Sequence, residues 1–375
     1  MANYMFYAVI SSITITTLTS HCSAQAKSYS HEHQHKLLFV FGDSLFDPGN
    51  NIYLDPTQHI PSYYYPYGMS LRNHSTGRYS DGLVVLDYIG IFFYYNNVFL
   101  FFPLSANLHI IPPFLKPNSN FVDGASFASA GAGVLEIHAN AMNLKMQVTN
   151  LMRVVKSMKD NLGGKAAKNL IKGSVFMFSL GGNDYFNFAT NYPNATQAEM
   201  KDFVSLVIGN LTKALKDIYE AGGRKFAFQN VAPIGCLPMV KQTFNCTPDQ
   251  YAQEPLHLAR QHNLALSKAL NKLQRDLKDF KYSIFDYFTE IGNMIDNPSK
   301  YGFKVGRVAC CGSGAYRASN CGTEPYELCR NPNEYVFFDG GHTTQHANFR
   351  LSELMWSGST NATWPYNVQQ LFELP

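Results

Sequence analysis

The chain has 375 residues, 46% of them hydrophobic, enough apolar material for one large α/β domain or two small ones. Its 30 basic and 27 acidic side chains leave a formal charge of +3. No basic block of the kind that tracks a phosphate backbone stands out, which argues against nucleic-acid binding.

The first 26 residues have the pattern of a secretory signal peptide. Met5 to Leu18 is apolar or small, and Ala24-Gln25-Ala26 offers an A-x-A cleavage site. The usual positive charge ahead of the apolar run is missing, since the first lysine is Lys27. Ser11, Ser12, Thr14, Thr16 and Thr17 make the segment too polar for a membrane span, so no transmembrane segment is expected. Residues 27–35 read as a flexible leader; His31, His33 and His35 have a metal-binding composition but fall inside it. Residues 36–375 read as one domain.

Leu37–Phe41 is the first strand candidate, and Gly42-Asp43-Ser44-Leu45 leaves it. That puts Ser44 at the carboxyl edge of the sheet, where open α/β folds bind ligands. Ile91 to Ser105 shows neither helical nor strand period. Its aromatic density reads as a buried strand or helix, or as a lid or membrane-contact loop over a lipid site. Ala125–Ala128 is the second strand candidate and runs into Ala130-Gly131-Ala132-Gly133. An amphipathic helix follows through Leu144, Val148, Leu151, Val155 and Met158, stopped by Gly163-Gly164. Ser174–Leu180 is the third strand, ending at Gly181-Gly182-Asn183-Asp184.

Thr196 and Glu199 form a capping box before a helix whose face is Met200, Phe203, Val207, Leu211, Leu215 and Ile218. Lys225–Val231 and Tyr282–Phe288 are strands four and five, with a helical pattern from Leu256 to Leu277 between them. The chain closes with Tyr335–Phe338, Asp339-Gly340-Gly341-His342 and a helix through Leu351, Leu354 and Met355. Alternating strand and helix signals predict a parallel sheet covered on both faces.

Removing the signal removes Cys22 and leaves six cysteines, an even number suited to an oxidising compartment. Cys236 and Cys246 are close enough in sequence to staple one loop. Cys310 and Cys311 are adjacent and read as pairing onward to Cys321 and Cys329, in an order the sequence leaves open. A zinc site is the weaker alternative, since no CxxC pair occurs. Sequons at Asn73, Asn194, Asn210, Asn245 and Asn361 are glycosylation candidates consistent with export.

A serine hydroxyl is a weak nucleophile unless a base and an oxyanion-stabilising site are supplied. His342 is the candidate base, and Asp339, three residues earlier, is placed to accept its Nδ1–H. The N–H groups of Ser44 and Gly131 and the side-chain amide of Asn183 are the candidate oxyanion donors. Ser126 is the rival nucleophile but lies inside an apolar run. Asp43 and Asp184 read as braces for their turns. No G-x-S-x-G elbow occurs, against the larger α/β-hydrolase fold.

These blocks make the chain recognisable: it resembles the plant branch of the GDSL esterase/lipase family, the SGNH hydrolases. Phe41-Gly42-Asp43-Ser44-Leu45-Phe46-Asp47-Pro48-Gly49-Asn50-Asn51 is similar to the family's first block, and Ser126-Phe127-Ala128-Ser129-Ala130-Gly131-Ala132-Gly133 to its second. Gly181-Gly182-Asn183-Asp184 matches the third, and Asp339-Gly340-Gly341-His342 the fifth. Tyr67-Gly68, Thr76-Gly77-Arg78, Pro233-Ile234-Gly235-Cys236-Leu237-Pro238 and Cys310-Cys311-Gly312 are further marks of the subfamily.

The resemblance implies a flavodoxin-like three-layer α/β/α sandwich around a parallel five-stranded sheet. It implies ester hydrolysis on lipid or small acyl esters, with no metal or organic cofactor and with acyl transfer as the alternative outcome. A vestigial defence or binding protein is the non-enzymatic alternative. With the signal, it predicts secretion to the apoplast or cell wall. There are two departures: Thr343 stands where the family usually has proline after the histidine, and Ile91–Ser105 is inserted. The insertion is rich in residues that pyrimidine-rich codons encode and is read as translated from a retained intron. A transcript spliced cleanly through these codons in every tissue ends that reading.

Overall fold

Five short apolar runs lie side by side because each must bury both of its faces. In the computed structural model, which describes residues 36–57, 59–95 and 110–375, they form β1 (Leu38–Gly42), β2 (Gly124–Ser126), β3 (Val175–Ser179), β4 (Lys225–Gln229) and β5 (Lys281–Phe285). All five are parallel in the order β2-β1-β3-β4-β5. That is the flavodoxin-like order. A pair of two-residue strands, β6 (Cys311–Gly312) and β7 (Glu327–Leu328), sits apart from this sheet. The last strand, β8 (Thr363–Trp364), adds antiparallel to β5, so the sheet has six strands rather than five. Two ladder residues carry no periodic signal, which is why the sequence does not announce them.

The helices are α1 (Val85–Tyr95), α2 (Leu144–Leu162), α3 (Gly164–Gly173), α4 (Gly182–Asn191), α5 (Gln197–Ala221), α6 (Pro238–Thr243), α7 (Gln253–Asp276), α8 (Tyr287–Asp296), α9 (Gln345–Ser357) and α10 (Val368–Glu373). Alternation along the strands assigns them to two layers. Phe39, Phe176 and Phe226 are neighbours across three strands, as are Phe41 and Phe178. Their stacked rings, 4.8 to 5.7 Å apart, pack under α2, α5 and α7. Leu38, Val40, Val175 and Met177 face the other way, toward α1, α8, α9 and α10. Truncating one rung, as in Phe176→Ala, is expected to cost about 3–5 kcal/mol through the lost burial and the cavity left behind.

The capping box of α5 forms as predicted, with the Thr196 hydroxyl accepting from the Glu199 N–H and the Glu199 carboxylate accepting from the Thr196 N–H. The start of the aperiodic aromatic run takes the helical one of its alternatives. Ile91–Tyr95 continue α1, and Phe93 stacks on Phe372 at 4.3 Å, while Phe92 meets Trp356 at 6.1 Å. Residues 96–105 lie outside the described residues, as do the predicted signal peptide, the leader and its histidines.

Disulfides join Cys310 to Cys329 and Cys311 to Cys321. The expected Cys236–Cys246 staple is not formed; both are free thiols. Cys236 is buried in the apolar cluster that packs α8 and α9, and Cys246 is half-buried just beyond the end of α6, the short helix that follows Cys236 in sequence. All five sequon asparagines are exposed. Among the described residues no helix is long and apolar enough to cross a membrane.

Candidate active site

Ser44 stands one residue beyond the turn at Asp43 that leaves β1. The Asp43 N–H donates to Ser179 O of β3, and its carboxylate accepts from the Leu45 N–H at 3.0 Å. Below it, the Gln147 side chain from α2 mimics a strand partner for Gly42. Its oxygen accepts the Gly42 N–H at 3.0 Å, and its amide donates to the Gly42 carbonyl at 2.8 Å. Ser44 is thus carried on a backbone fixed from both sides.

The second component arrives from a loop 298 residues away in sequence. The Ser44 hydroxyl donates to His342 Nε2 at 2.7 Å. The Nδ1–H donates to Asp339, 2.6 Å from Oδ1 and 2.8 Å from Oδ2. The Gly341 and His342 N–H groups also donate to Oδ1, so the loop folds around its own carboxylate. Burial alone would raise the Asp339 pKa. The His342 charge and hydrogen bond, with the N–H of Gly341 and the Tyr67 hydroxyl, outweigh it and hold the carboxyl below its ordinary range. Thr343, in place of the family's proline, is buried and donates its hydroxyl to Asn348 Oδ1 at 2.5 Å, so the turn after His342 is anchored by another route.

Gly131 lies in the loop after β2, with φ +82, a conformation that favours glycine. Among the described residues, neither the Ser44 N–H nor the Gly131 N–H has a partner. Asn183 opens α4 and uses one amide hydrogen on Ala132 O at 2.9 Å, leaving the other. Neighbouring Asp184 accepts from the Val134 and Leu135 N–H groups, both at 2.9 Å. A Cβ on Gly133 would lie 2.8 Å from that carboxylate. Asp47 gathers the N–H groups of Gly49, Asn50 and Ala130, while Asn50 and Asn51 donate to the carbonyls of Ala128 and Ala130. Burial pushes Asp47 and Asp184 up to about 6 and Asp43 to about 7.

Ser44, Gly131, Asn183 and His342 line one cleft of about 540 Å³. Its lining includes apolar Leu45, Ile60, Leu180, Phe186, Val231 and Met239. Polar Asn51, His59, Tyr79, His138, Asn140 and Asn230 are interspersed among them. The rival Ser126 is fully buried in β2 and donates to Phe46 O. Arg78 is buried away from the cleft, paired twice with Asp87 at 2.7 Å, so its part is structural. The free thiols Cys236 and Cys246 are also outside the cleft. Two residues have a place at the site that sequence reasoning did not assign: Tyr79, whose ring packs on His342 at 4.7 Å, and Tyr67, named only as a subfamily mark, whose hydroxyl reaches Asp339.

The family model described as GDSL-like Lipase/Acylhydrolase matches residues 38–355. The chain belongs to that family. Among GDSL relatives, "GDSL esterase/lipase 1" of Arabidopsis thaliana is 40% identical over 350 residues, covering 90% of each chain. "GDSL lipase" of Tanacetum cinerariifolium is 41% identical over 342 residues, covering 90% of this chain and 87% of that one. At 36% identity, with 90% and 75% covered, stands the Arabidopsis thaliana "Inactive GDSL esterase/lipase-like protein 25". Membership of the GDSL family therefore does not by itself carry activity. The side chains present at the cleft must.

Proposed function

We propose that this protein is an exported serine carboxylic-ester hydrolase that works through an acyl-enzyme. The observation that carries the reading is the continuous relay from Ser44 through His342 to Asp339, opposite two unclaimed backbone N–H groups in one cleft. His342 Nε2 takes the hydroxyl proton as Ser44 Oγ bonds to the acyl carbon. Asp339, kept ionised, steadies the imidazolium. The carbonyl oxygen becomes an oxyanion held by the N–H groups of Ser44 and Gly131 and the free amide hydrogen of Asn183. The imidazolium returns its proton to the departing alcohol, leaving an ester on Ser44. Water attacks that ester through the same histidine and releases the acid.

The mixed apolar and polar lining of the cleft suits esters among lipids or small acyl esters. Residence outside the cell, in the apoplast or wall, is supported by two disulfides and by five exposed sequons. A fluorophosphonate probe is expected to label Ser44, and Ser44→Ala to lose turnover of a chain-length panel of esters by at least about ten-thousand-fold. An unlabelled Ser44 in folded protein, or a fully active alanine variant, sinks the reading. Product analysis with added alcohols separates hydrolysis from acyl transfer.

A further inference from the structure

Tyr67 is separated from Asp339 by 272 residues of sequence and is 3% exposed, yet its hydroxyl donates to Asp339 Oδ2 at 2.7 Å. Oδ1 already accepts from three N–H groups. Oδ2 has only a share of the His342 Nδ1–H and this phenol. Without Tyr67, a buried carboxylate oxygen would lose its one dedicated donor, and the carboxyl would be free to turn away from the histidine.

The ring supports the same site by a second route. It packs edge-on against Tyr79 at 5.6 Å, and Tyr79 lies on the His342 ring at 4.7 Å. On its other side it meets Phe338, the residue before Asp339, at 5.3 Å. Tyr67 cannot easily swing away. Its carbonyl accepts from the Ser75 hydroxyl at 2.6 Å, and its ring is embedded among the four bridged cysteines. Those cysteines are tied to the same strap, since the Cys310 and Cys311 N–H groups donate to Phe337 O and Phe338 O at 3.0 and 2.7 Å.

We infer that Tyr67 is a positioning residue for ester hydrolysis, orienting Asp339 and, through Tyr79, the ring of His342. The inference rests on the proposed roles of Ser44, His342 and Asp339. Burial and the adjacent carboxylate hold the phenol protonated, so it donates throughout and takes no proton in any step.

The test is a double-mutant cycle on the full chain, reading kcat and KM for one ester. Tyr67→Phe is expected to lower kcat about tenfold with KM unchanged, the loss of one charge-assisted hydrogen bond. In an Asp339→Asn background the same change is expected to cost nothing more. A folded Tyr67→Phe protein with full kcat, or an equal loss in both backgrounds, overturns the inference. If Asp339→Asn alone leaves kcat intact, the proposed roles fail instead. Should the phenylalanine variant not fold, a fluorinated tyrosine at position 67 probes the same bond with packing retained. The low-field proton resonance of the His342–Asp339 bond is then expected to move, and a fixed resonance overturns the inference.

Discussion

The loops leaving β1, β2 and β3 and the strap between α8 and α9 meet over Ser44, and they are held by different means. The first set springs from neighbouring strands, so its ends are fixed by the sheet. Buried Asp47, Asn50 and Asp184, with half-buried Asn51, need only satisfy the backbone between those ends. The strap leaves the sheet and carries just the two-residue strands β6 and β7 before it returns with Asp339 and His342. With so little ladder, its order depends on Cys310–Cys329, Cys311–Cys321 and the rings around Tyr67. Where a sheet supplies the anchor, side-chain hydrogen bonds suffice; where it does not, covalent links shrink the ensemble the loop would otherwise explore.

The largest expected effect breaks the first set. Asp47→Ala strands three N–H groups and is expected to lower unfolding stability by about 4 kcal/mol or more, measured by urea denaturation. Next, Cys311→Ser with Cys321→Ser is expected to cost about 3 kcal/mol and to lower kcat in the protein that remains folded. If the strap needs no covalent link, that double variant will keep full kcat. Asn183→Ala sharpens the contrast from the other side. It is expected to lower kcat about a hundredfold, with Tm nearly unchanged, because the amide sits at a helix start whose anchoring is done by Asp184.

The smallest effect concerns pH. Asp43 titrates near 7 in the folded protein, above its ordinary 3.8. Its contribution to stability is therefore full below that ordinary value and is lost as pH rises through about 7. Asparagine at this position stays neutral and still accepts from Leu45. Asp43→Asn is thus expected to narrow the Tm gap between pH 5 and pH 8 by roughly a few degrees. Asp47 and Asp184, near 6, leave part of the decline in place; Asp339, held below its ordinary range, is ionised throughout this window and adds no slope to it.

The parallel strands and the turns beyond them were legible because each is an apolar run ending in small residues. Ser44, Gly131, Asn183, Asp339 and His342 were legible because family blocks fall on those turns. What stayed hidden is what sequence separation hides. Tyr67 reaches Asp339 across most of the chain, and Gln147 caps β1 from the first turn of α2. Tyr67 stood out only as a subfamily mark, and no local pattern gives either residue its role. Cys236 and Cys246 misled for the opposite reason, since nearness in sequence suggested a bond that the two thiols do not make. Ile91–Tyr95 left strand and helix undecided because an almost wholly apolar and aromatic segment has no polar face to set its period.

The close approach of Gly133 to Asp184 has an evolutionary corollary. A methyl group at the first position collides with the acid at the second, so the two letters behave as one heritable unit. Among relatives, a side chain at the position of Gly133 should coincide with loss of the aspartate, and such pairs would flag members whose oxyanion donors have drifted apart.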